Sequence, residues 1–171
     1  MGKLFEQDRV RYGQNKMPRF QRYLRKCQDA RNPLSKQIYR LLFRLAANQS
    51  HIEITSHNQI GGGLYIGHPY CITVNPKAII GQNCNIHKGV TIGQENRGKR
   101  KGVPTIGNCV WIGINATIVG NVTIGDDVLI APNTFVNCDV PAHSIVFGNP
   151  CIIKPRENAT QEYINNKVEL C

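Results

Sequence analysis

From residue 54 onward the chain repeats itself every six residues. A β-branched aliphatic stands at Ile54, Ile60 and Ile66, then at Val74, Ile80, Ile86 and Ile92, then at Ile106, Ile112, Ile118, Ile124, Ile130 and Val136. Two steps break the period, one of eight residues from Ile66 to Val74 and one of fourteen from Ile92 to Ile106. Glycine follows the aliphatic at Gly61, Gly67, Gly81, Gly93, Gly107, Gly113 and Gly125, and small or β-branched residues recur four places on, as at Cys84, Val90, Val110, Ala116, Val122, Val128 and Thr134. A period of six matches neither the 3.6 of a helix nor the simple alternation of a strand. It suits a prism of short parallel strands, each face sending one aliphatic inward, with tight corners between faces.

The first fifty residues follow another rule. Asn32 and Pro33 suit an N-cap and first helical position, and Ile38, Leu41, Leu42 and Leu45 form one apolar helical stripe. A weaker stripe runs through Phe20, Tyr23, Leu24 and Cys27. The segment is expected to dock on the main domain with its charged face solvated. The net charge of +10 is concentrated here, with 12 Lys/Arg against 3 Asp/Glu in residues 1–50 and 9 against 8 in the rest. Such a segment suits an anionic substrate or peripheral contact with an acidic membrane surface. Nucleic acid is not expected, because no recognised motif accompanies the charge.

Seven cysteines form no CxxC pair, no secretory leader precedes them, and no apolar run approaches the roughly 18 residues of a membrane span. Together these predict a reduced, cytoplasmic protein. The expected organisation is a basic, mostly helical segment over 1–50, the repeat domain over 51–155 and a polar tail over 156–171.

The cadence resembles the hexapeptide-repeat acyltransferases. That resemblance implies a mainly β fold, a left-handed parallel β-helix of three strands per coil, behind the N-terminal α-helical segment. Counting then assigns Ile54, Val74, Ile92, Ile118 and Val136 to face A, Ile60, Ile80, Ile106 and Ile124 to face B, and Ile66, Ile86, Ile112 and Ile130 to face C. The eight-residue step becomes a bulge at the corner from C to A, and the fourteen-residue step a loop between A and B.

His68 falls in that bulge, two residues past Ile66, and is expected to point out of the core. Glu53 precedes Ile54 at the same corner one coil earlier. Coils stack about 4.8 Å apart, which would let carboxylate and imidazole hydrogen-bond and fix the tautomer that a general base needs.

With these residues the chain resembles the serine acetyltransferase family and the sugar and polysaccharide O-acetyltransferases similar to it. The resemblance makes His68 the base that takes the proton of an acceptor hydroxyl as it attacks the thioester of acetyl-CoA, with Glu53 orienting it. It implies a homotrimer, with acetyl-CoA along the coils against Gly113, Ile114, Asn115 and Ala131 and reaching Gly148, Pro150 and Lys154. No metal is expected. Serine acetyltransferases carry an aspartate immediately before the histidine and an arginine-histidine pair in the long loop to grip serine; here those places hold Gly67 and Gly102-Val103, in a loop made basic by Arg97, Lys99, Arg100 and Lys101. These departures favour a sugar or polysaccharide-precursor acceptor, with serine as the alternative. Two further readings are weaker. A zinc carbonic anhydrase family shares this β-helix, but its three histidine ligands are not matched here, and a scaffold without chemistry would leave His68 without a role.

Overall fold

The computed structural model describes residues 2–170; Cys171, the last of the seven cysteines, lies outside the described residues. Three parallel sheets form the prism, and their registers reproduce the counted faces. On face B, strands Gln59–Ile60, Ile79–Ile80, Thr105–Ile106 and Thr123–Ile124 align Ile60, Ile80, Ile106 and Ile124 in one column. Face C stacks Tyr65–Gly67, Asn85–His87, Trp111–Ile112, Val128–Ile130 and Ser144–Phe147, closed by the antiparallel strand Ile152–Pro155. Face A stacks Thr73–Val74, Thr91–Gly93, Thr117–Val119 and Phe135–Val136. The coils run on past the thirteen periodic positions, because Val140 bridges to Ile124 and Val146 pairs with Ile130.

Each inward aliphatic is buried, and Ile86, Ile92, Ile112, Ile118 and Ile130 have no exposed surface. Burial of each such side chain stabilises the fold by about 1.5–3 kcal/mol. The corners turn on a residue three places after the aliphatic: Asn83, Cys109, Asn115, Asp127 and Asn133 all have φ between +54° and +58°. Asn and Asp tolerate that left-handed conformation best among residues with a side chain. This is the left-handed parallel β-helix that the resemblance implied.

A stack of coils leaves a row of unpaired backbone groups on its first strand. Helices α1 (Lys3–Tyr12) and α2 (Arg19–Asp29) cover that edge with polar side chains. Asp8 accepts from Leu64 N at 2.9 Å, Gln21 donates to Leu64 O at 2.9 Å, Arg25 donates to the carbonyls of Ile60 and Gly61, and Tyr12 Oη accepts from Ile66 N at 2.8 Å. Arg25 and Asp8 form a fully buried ion pair at 2.7 Å. Part of the N-terminal charge is therefore structural.

Helix α3 (Pro33–Gln49) starts as the sequence predicts, with Asn32 Oδ1 accepting from Leu34 N and Ser35 N. Its orientation does not follow the expectation. Phe43 and Ala47 are the residues it buries, while Leu34, Ile38, Leu41 and Leu45 are exposed. The tail also departs from its polar composition: Ala159 and Thr160 bond to Asp127, Val168 to Asn83, and Tyr163 O accepts from Asn85, strapping the segment along face C.

Candidate active site

His68 has φ +53°, and a second left-handed residue, Cys71, completes the bulge. The turn carries the imidazole out of the prism, where it is exposed at a cavity of about 400 Å³. Tyr12, Asn15 and Lys16 wall this cavity from the N-terminal segment, Tyr65, Gly67 and His87 from face C. The Tyr12 hydroxyl is held by Gln21 at 2.6 Å and by Ile66 N, so α1 and α2 are fastened to the strand that presents His68. Burial raises the Tyr12 pKa far above its ordinary value, so the hydroxyl stays protonated and keeps donating.

Glu53 and His68 are not hydrogen-bonded to each other among the described residues. Glu53 bridges to Thr73 in register, and its Oε2 accepts from Thr73 Oγ1 at 3.2 Å. The carboxylate lies at a separate cavity of about 390 Å³ with Thr55, Asn75 and Pro76. The pairing register explains this: coils are joined residue to residue, so Glu53 finds Thr73 beside it.

His87 stands opposite Gly67 in the face C register. Its Nδ1 lies 2.8 Å from Ile112 O, and since a carbonyl only accepts, Nδ1 carries the proton and Nε2 is left unprotonated. Burial lowers the His87 pKa, the bond to Ile112 opposes that, and nearby His68 lowers it further; the balance favours the neutral ring. Trp111 lies against it at 4.6 Å between centroids, and Tyr163 against Trp111 at 5.2 Å. Tyr12, Asn15 and Lys16 carry no sequence signal as site residues, because nothing local ties the N-terminal segment to the bulge. Counting the faces does place His87 opposite Gly67.

The residues assigned to acetyl-CoA fall on the edge that begins at His68. Gly113, Ile114 and Asn115 turn the same C-to-A corner on a later coil and Ala131 on the next, joined by Gly113 N to Ile130 O and Asn133 N to Ile114 O, both near 2.9 Å. A Cβ on Gly113 would stand 2.7 Å from Pro132 N, so coil stacking alone requires that glycine. Gly148 has φ +91° and follows the last parallel face C strand, Pro150 follows a cis peptide, and the Lys154 ammonium lies 5.7 Å from the Phe147 ring centroid. The basic loop is ordered: Gly98–Arg100 forms a 3₁₀ turn and Glu95 pairs with Gly102. Among the described residues no three His, Cys, Asp or Glu side chains are placed to hold a metal, and no helix is long and apolar enough to cross a membrane. The six described cysteines are free; only Cys27 and Cys84 are fully buried and Cys71 is exposed.

The bacterial transferase hexapeptide (six repeats) family model matches residues 104–138. A serine acetyltransferase of Helicobacter pylori is 38% identical over 112 residues, 66% of this chain and 66% of that protein. One from Synechococcus elongatus is 35% identical over 113 residues, 66% of this chain and 46% of that protein, so this chain spans about half of its length. Among solved structures, the serine acetyltransferase of Neisseria gonorrhoeae in complex with serine superposes with a TM-score of 0.70 at 26% identity, covering 89% of this chain and 68% of that one. Soybean serine acetyltransferase complexed with serine gives 0.67 at 28% identity, covering 79% and 56%. These matches overturn the sugar or polysaccharide acceptor read from Gly67 and Val103. Two absent side chains weigh less than a likeness to serine acetyltransferases that runs through the coils. The chain belongs to the hexapeptide-repeat acyltransferases of the serine acetyltransferase family.

Proposed function

We propose that this protein is an acetyl-CoA-dependent serine O-acetyltransferase. The observation that carries the reading is His68, turned out of a closed aliphatic prism by a bulge and exposed at a 400 Å³ cavity, in a chain 35–38% identical to serine acetyltransferases. A hydroxyl is a poor nucleophile at neutral pH, and a positioned imidazole removes its proton as the bond forms. His68 takes the serine hydroxyl proton, the oxygen bonds to the thioester carbonyl carbon, and the tetrahedral adduct collapses with loss of CoA sulfur, which recovers the proton. Glu53 is the acidic partner in this reading. Thr73 occupies only Oε2 of its carboxylate, which leaves Oε1 for the imidazole.

Acetyl-CoA is assigned to the C-to-A edge, with its thioester at His68, its pantetheine arm along Gly113, Ile114, Asn115 and Ala131, and its far end toward Gly148, Pro150 and Lys154. Three strand steps separate His68 from Ala131, about 14 Å. The reading includes a homotrimer and a cytoplasmic setting, which free cysteines suit. Incubation with acetyl-CoA and L-serine, analysed by mass spectrometry, is expected to yield O-acetylserine and free CoA. Sedimentation velocity is expected to show a trimer. Failure to form O-acetylserine overturns the substrate assignment.

A further inference from the structure

The ring of His87 occupies the space that a side chain at position 67 would need. A Cβ built on Gly67 would stand 2.6 Å from His87 Nε2 and closer still to Cδ2. The ring has little freedom to withdraw, since Nδ1–H is bonded to Ile112 O and the Trp111 ring lies 4.6 Å away between centroids. Its Nε2 has no hydrogen-bond partner among the described residues, and His87 lines both the His68 cavity and a neighbouring one of about 230 Å³. No Asp or Glu lines the His68 cavity, while Lys16 does. A cation together with a pinned, unprotonated nitrogen acceptor suits a zwitterion: Lys16 faces a carboxylate, and the imidazole lone pair needs an N–H donor.

We propose that His87 is the residue that binds the amino group of the serine acceptor, its Nε2 accepting a hydrogen bond beside the hydroxyl that His68 deprotonates, and that Gly67 is required to leave the ring its place. The proposal rests on the serine acetyltransferase reading. It assigns to a residue twenty positions along the chain, on the next coil, the grip that a side chain at position 67 would otherwise supply.

The test is steady-state kinetics on the full chain with L-serine and acetyl-CoA. His87→Ala is expected to raise KM for serine about ten- to hundred-fold, the loss of one hydrogen bond to a charged group, with KM for acetyl-CoA unchanged. His87→Gln, which keeps an acceptor of similar reach, is expected to recover part of that loss. Gly67→Ala is expected to reproduce the defect by displacing the ring, and to add nothing in a His87→Ala background. An unchanged KM for serine in His87→Ala, with turnover intact, overturns the proposal and leaves the serine reading standing. If the unaltered protein neither binds nor acetylates serine, the serine reading fails and the assignment to His87 falls with it. Where a variant does not fold, ¹⁵N-histidine spectra of the unaltered protein decide: serine is expected to shift the His87 Nε2 resonance, and no shift at saturating serine overturns the proposal.

Discussion

Replacing Tyr12 with phenylalanine removes one oxygen from a place that joins the N-terminal helices to the strand behind His68. The hydroxyl donates to Gln21 Oε1 at 2.6 Å and accepts from Ile66 N at 2.8 Å, in a side chain that is 5% exposed. The variant leaves two groups without that partner, and each costs about 1–3 kcal/mol when buried. Two cavities touch the ring, so water can reach part of the gap and the total falls to about 2–4 kcal/mol. Urea unfolding followed by circular dichroism measures the loss, and hydrogen exchange at the Ile66 amide should accelerate in parallel. Tyr163→Phe serves as the control, since that residue is 53% exposed and its loss should stay within about 0.5 kcal/mol. A Tyr12→Phe loss no larger than the control, with Ile66 exchange unchanged, would refute the claim that the helices are fastened to the site strand through this hydroxyl.

Three further outcomes follow from other polar groups. Arg25→Met leaves Asp8 charged and buried, and should cost about 3–5 kcal/mol, whereas Asp8→Leu with Arg25→Met should cost less than the two single losses combined; a double-mutant cycle in urea reads both. Thr134 fills an inward position that Val110, Val122 and Val128 fill elsewhere, and its buried hydroxyl has no partner among the described residues, so Thr134→Val should raise stability by up to about 1 kcal/mol, and a drop would count against the packing account. Asp127 anchors the tail: burial opposes its ionisation, but hydrogen bonds from Thr160, His143 and Ala159 outweigh burial and hold its pKa below 3.8. A depressed carboxylate stabilises the fold fully above its unfolded pKa and loses that contribution as pH falls through the lower folded value. Exchange protection of the Ala159 and Thr160 amides should therefore be constant above about pH 5 and decline below 3.8, and Asp127→Asn should abolish that dependence.

The coils were legible because the constraint that makes them is local and repeated: each corner needs a left-handed residue, each face one aliphatic, and a slip by one residue would expose the ladder. The period faded after Val136, where Val140 comes four residues on, so the inward positions of the last coil were not counted although the repeat domain was carried to residue 155. Helix spacing showed that α3 is amphipathic but not which way it faces, and Phe43 and Ala47 won the core while the leucine-rich stripe remained outside. Asp8, Gln21 and Arg25 read as solvated charge or ordinary polarity in sequence; their roles depend on an edge that exists only once the first coil has formed. For the site, the bulge located His68, while counting coils did not show that the in-register neighbour of Glu53 is Thr73. Gly67 was read as a lost grip and a hint of a larger acceptor. The register with His87 gives that glycine a steric reason, and the relatives remove the larger acceptor.

In the proposed reaction His68 is the base for acetyl transfer to serine. Its most direct test is the serine-dependent rate of CoA thiol release from acetyl-CoA, compared between the unaltered protein and a folded His68→Ala variant. With His68 as the base, release requires L-serine and falls about 10²- to 10⁴-fold in the variant, the usual contribution of a positioned general base. Equal serine-dependent rates in the two proteins would contradict it.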